Sequence, residues 1–101
     1  METSNKYLIT FSITKPKNLL EDYNKMVSAI ENLGGQCIKF HKSAFFVVTD
    51  KTRDSILDIL EVTVKNSRIL VIDVSLSNWS TYYPGETEEE IKLIKWMKRN
   101  I

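Results

Sequence analysis

An α+β domain is what this sequence predicts, and three observations predict it. "YLITFSI" alternates apolar and polar residues with the period of a strand, while "NLLEDYNKMVSAIENL" repeats its apolar residues at helical spacing. The same two patterns then return further along, so strands and helices interleave. With 101 residues, 43% apolar and 27% charged, the chain is expected to build one core, a single domain over 1–101.

The first strand is carried by Tyr7, Ile9, Phe11 and Ile13, with Thr10, Ser12 and Thr14 between them and Leu8 as the one break in the pattern. After Lys15 and Pro16, Asn18 caps a helix with Glu21 three residues on, and Leu19, Leu20, Tyr23, Met26, Val27, Ile30 and Leu33 form its apolar stripe. Gly34 and Gly35 stop it. "QCIKFHK" and "SAFFVVTD" then read as a hairpin turning near Lys42 and Ser43, its second strand apolar on both faces. Asp50 or Thr52 caps a second helix bearing Ile56, Ile59, Leu60 and Val64, which ends near Asn66 and Ser67 before the strand "RILVIDVS".

Strand, helix, strand, strand, helix, strand is the split βαβ or ferredoxin-like order, with both helices on one face of a four-stranded antiparallel sheet. Residues 76–101 are an appended loop and amphipathic helix: Thr87 and Glu90 make a capping box, and Ile91, Ile94 and Met97 share a face.

Composition narrows the function classes. Fourteen Lys and Arg against thirteen Asp and Glu leave a net charge of +1, so any basic surface is local. Cys37 is the one cysteine, which excludes an internal disulfide and a cysteine-based zinc site within one chain. A reducing cytoplasm is the expected compartment. No segment has the ~20 apolar residues of a bilayer span, so no membrane association is expected.

Two helices on one sheet face leave the other bare. With Phe45 and Val47 turned to the helices, Ala44, Phe46, Val48 and Leu8 form an apolar patch, which a two-fold homodimer would bury. Burial by the C-terminal helix of the same chain is the rival reading. Leu70, Ile72 and Val74 are expected to face the helices, which would put Asp73 on the bare face beside Ser12.

The strand "YLITFS" leading to "KP", the hairpin "HKSAFFVVTD", and "RILVIDVSLSNWSTY" before a terminal amphipathic helix resemble the small bacterial and phage proteins called SinR-like, relatives of the CRISPR-associated protein 2 family. The resemblance implies a ferredoxin-like fold that dimerises through its sheets. It also implies a choice of roles, since CRISPR members serve as the non-catalytic partner of the spacer integrase and some have been described as metal-dependent nucleases. In that family the first strand ends in an aspartate after an aromatic residue, and two such aspartates meet across the dimer near a divalent metal. Here the aromatic is Phe11 and the matching position is Ser12. A neutral hydroxyl is a poor replacement for a carboxylate at a hard cation.

No complete catalytic set is therefore expected. Asp73 is the one remaining candidate carboxylate, and magnesium or manganese enters only under the alternative of a metal-dependent endonuclease. Ser12 as a nucleophile needs a base, for which only His41 is available, and no glycine-flanked elbow surrounds it. Cys37 and His41 share a strand face in a regular strand but stand roughly 13 Å apart, too far for one metal. For phosphate contact the candidates are Lys15 and Lys17 at the first strand exit and Lys42, with Lys39, in the hairpin; Lys92, Lys95, Lys98 and Arg99 on the last helix also fit its macrodipole. Leu8, Phe46, Val48, Trp79, Tyr82 and Tyr83 are the expected dimer contacts. The expectation is a non-catalytic homodimeric module, without a cofactor, that binds a protein partner or nucleic acid, DNA or RNA.

Overall fold

Each helix begins at a side chain suited to end a strand or loop. Asn18, in extended backbone, accepts a hydrogen bond from the Glu21 amide at 3.1 Å, and Thr52 does the same for Ser55 at 3.2 Å. Of the two expected caps for the second helix, Thr52 is therefore the one used. Thr87 accepts from Glu90 at 3.1 Å. The computed structural model describes residues 5–75 and 87–100. Its elements are β1 (Asn5–Ile13), α1 (Leu19–Glu31), β2 (Gln36–His41), β3 (Ala44–Thr49), α2 (Arg53–Thr63), β4 (Ser67–Asp73) and α3 (Glu88–Asn100).

The four strands form one antiparallel sheet in the order β2-β3-β1-β4. With α1 and α2 between the strands, this is a ferredoxin-like α+β arrangement followed by a C-terminal helix. The main core lies between sheet and helices: Tyr7, Ile9 and Phe11 of β1 and Phe45 and Val47 of β3 meet Met26 and Ile30 of α1 and Ile56 and Leu60 of α2. Phe11 stacks on Phe45 with ring centroids 6.3 Å apart and tilts against Tyr23 at 5.9 Å.

Part of the opposite face is covered within the chain. Phe46 and Val74 are buried with Ile94 and Met97 of α3, and Leu8, Ile38, Leu93 and Trp96 pack around them. Trp96 tilts on Phe46 at 5.9 Å, while Phe40 meets the same ring edge-on at 5.7 Å. The alternation of β1 and β3 matches the expected faces, but the cover over Leu8 and Phe46 is α3, so this patch no longer argues for a second copy. Val48 is half-buried, and Trp79, Tyr82 and Tyr83 lie outside the described residues.

Strand β4 corrects a second expectation. Ile69 and Val71 pack on the helix-side core, whereas Leu70 and Ile72 are 54% and 40% exposed. Directly opposite residues share a face. Asp73 pairs with Tyr7 and so faces the helix side, at the far end of β1 from Ser12, which pairs with Arg68. "ILVI" is apolar at every position, so its own pattern could not choose a face; pairing with β1 chose it.

Candidate nucleic-acid interface

Three connections meet where β1 leaves the sheet. The β2–β3 turn is tied there by Phe11 N–H donating to Ser43 O at 3.0 Å, and the α2–β4 turn by Thr14 N–H donating to Asn66 O at 2.8 Å. Tyr23 of α1 donates its hydroxyl to Lys42 O at 2.6 Å, and Ser67 Oγ donates to Val64 O at 2.6 Å. Backbone and hydroxyl bonds thus hold a surface assembled from four separate stretches of sequence.

That surface is basic. Lys15 and Lys17 come from the β1 exit, Lys39, His41 and Lys42 from the hairpin, Lys65 from the α2–β4 connection and Arg68 from the start of β4. On α1 and α2 the acidic groups nearest this end are Glu21 and Asp22 in the first turn of α1 and Glu61 near the end of α2. Glu21 is already paired with Lys25 at 3.3 Å. The three expected phosphate contacts, Lys15, Lys17 and Lys42, therefore lie at one end of the molecule.

Ser12 stands between two concavities. A cleft of about 570 Å³ opens on the α1 side, where Leu19, Leu20 and Tyr23 face Lys39 and Lys42. Both leucines are well exposed. A notch of about 310 Å³ lies toward β4, with Thr10, Ser12, Ser43 and Arg68 among its walls. A separate groove of about 600 Å³ between α1 and the end of α2 holds the Glu21–Lys25 pair and none of these cations.

The candidate catalytic groups are dispersed. Asp73 accepts the Ser75 amide at 2.9 Å, and the Ser75 backbone and hydroxyl, with Arg53 nearby, hold its carboxyl below the usual range. Burial and the Asp73 charge raise the Tyr7 phenol, whose hydroxyl donates to Lys51 O at 2.9 Å. That end of the sheet does structural work. Ser12 and His41 belong to strands separated by β3, about 10 Å of sheet, and no hydrogen bond joins them among the described residues.

The hairpin contains an irregularity: Lys39 faces Phe45, yet His41 faces Ala44, so two residues of β2 are spent against one of β3. Cys37, opposite Val47, therefore packs on the helix side, while His41 follows Ala44 to the other face. The expectation that they share a face is corrected by this bulge. Burial, with Glu31 nearby, pushes the Cys37 thiol up to about 11, so it is protonated at neutral pH. Among the described residues no cluster of three or more His, Cys, Asp or Glu is arranged to hold a metal.

Arg68 and Lys65 were not singled out from the sequence. A signal existed: in an antiparallel β1–β4 pair, the first residue of β4 must lie beside the last residues of β1.

Fold and surface together define a class: a ferredoxin-like α+β domain with a basic strand end and a helix packed across its second sheet face. No protein-family model matches the chain, and no curated protein matches it either.

Proposed function

We propose that this chain is a non-catalytic nucleic-acid-binding module that contacts phosphates with the end of the sheet where β1 exits. The observation that carries the reading is the gathering of Lys15, Lys17, Lys39, Lys42, Lys65 and Arg68 at one end of the sheet, with Lys39 and Lys42 lining the cleft and Arg68 the notch beside Ser12. Clustered cations track a phosphate backbone even where net charge is near zero. The likeness to the CRISPR-associated protein 2 family supports a binding role, because its CRISPR members act beside a catalytic partner.

The test is fluorescence anisotropy with labelled RNA and DNA oligonucleotides across a salt series. Binding is expected to weaken as salt rises, and Lys15→Ala with Lys17→Ala should reduce the salt slope by about 1–2. Absence of binding at low salt, with salt-insensitive capture of a single protein, would replace this reading by a protein-interaction module. Cleavage of the oligonucleotide in magnesium or manganese, lost in Asp73→Ala, would instead establish the endonuclease.

A homodimer is part of the same proposal, on a different surface from the expected one. Leu70 and Ile72 remain exposed on β4, an edge strand of the sheet. An apolar edge of this kind favours association with a second copy.

A further inference from the structure

The notch beside Ser12 has a more specific chemistry than the basic end around it. Ser12 and Arg68 are direct cross-strand partners, so both project on the sheet face opposite α1 and α2. Thr10 lies on the same face of β1, two residues earlier, and pairs with Ala44 next to Ser43. Among the described residues, none of the four side chains, Thr10, Ser12, Ser43 and Arg68, has an ion pair or hydrogen-bond partner. One guanidinium and three hydroxyls therefore line a single concavity with their donors unspent.

We propose that this notch binds one phosphate group, with Arg68 as the charged fork and the Thr10, Ser12 and Ser43 hydroxyls as neutral donors. That the phosphate belongs to a bound strand rests on the nucleic-acid reading. A planar guanidinium offers two parallel N–H donors to a phosphate, a geometry an ammonium does not supply. The neutrality of position 12 matters as much. A carboxylate directly opposite Arg68 would take up its donors as a cross-strand ion pair, whereas a hydroxyl leaves them for an incoming anion. Lys42 and Lys39, in the adjoining cleft that shares Ser12 and Ser43, extend the positive field from this point along the strand end.

Two measurements test the assignment. In ¹⁵N NMR titrations at fixed pH and ionic strength, inorganic phosphate is expected to shift the Ser12 and Ser43 amides and the Arg68 Nε–H, and acetate is not. In oligonucleotide anisotropy, Arg68→Lys and Ser12→Asp are each expected to weaken binding roughly five- to tenfold, and Ser12→Ala by less than roughly twofold. These positions are at the surface, and circular dichroism checks that the variants fold. Equal shifts with acetate, no shift with phosphate, or unchanged oligonucleotide binding by Arg68→Lys would overturn the phosphate notch. If the last result came with weakened binding by Lys15→Ala and Lys17→Ala, the nucleic-acid reading would survive without the notch. Phosphate-specific shifts in a protein that binds no oligonucleotide would uphold the notch and remove the nucleic-acid reading.

Discussion

Gly35 has φ +78°, and a Cβ built there would overlap the carbonyl oxygen of Val48 in β3. Gly34 also has positive φ, +92°, but open space around it. Gly35→Ala is therefore expected to destabilise the fold by about 1–3 kcal/mol through backbone strain, with more from the overlap, and Gly34→Ala by less. Urea denaturation of the two variants measures the difference, and equal losses would show that strain alone matters. From "LGGQ" the sequence showed that a helix must stop. Which glycine is irreplaceable depended on how closely β3 passes, a long-range fact. Ser12 is similar: its place at the end of a strand is legible locally, whereas Arg68 stands opposite it only through the β1–β4 register.

At the scale of the element, α3 is the main revision. Its stripe Ile91, Ile94 and Met97 announced an amphipathic helix, and the bare sheet face announced a cover, but local pattern does not connect the two. Ile94 and Met97 are buried against Phe46, while Ile91 remains 40% exposed. Phe46→Ala is expected to cost about 3–5 kcal/mol, and Phe46→Glu at least as much, since the charge would be buried under α3. Thermal melting followed by tryptophan fluorescence reads this out, because Trp96 packs on Phe46. A variant of unchanged stability and reduced assembly mass would restore Phe46 to a subunit seam.

At the scale of the whole molecule, the chain's +1 net charge hides an uneven distribution. Cations gather at the β1 exit, while Glu31, Asp50, Asp54 and Asp73 sit on the elements of the other end, with Lys6, Lys51 and Arg53 among them. The proposed dimer belongs to this scale too. Light scattering should give twice the chain mass of 11.7 kDa, and Leu70→Glu should return it to the single-chain value. A wild-type protein already at the single-chain mass would remove the dimer.

By itself the sequence determined the order of the elements, the helix caps at Asn18 and Thr87, a choice of Asp50 or Thr52 for the second helix, and the inward residues of β1 and β3. Those features follow from spacing, capping chemistry and period-two alternation, all of which act within a few residues. Only the tertiary structure decided what covers Phe46, which face Asp73 takes, and that Arg68 stands opposite Ser12. The physical reason is common to all three. An apolar run such as "ILVI" satisfies either face equally, and a helix stripe fits any apolar surface, so pairing register and chain path make the choice.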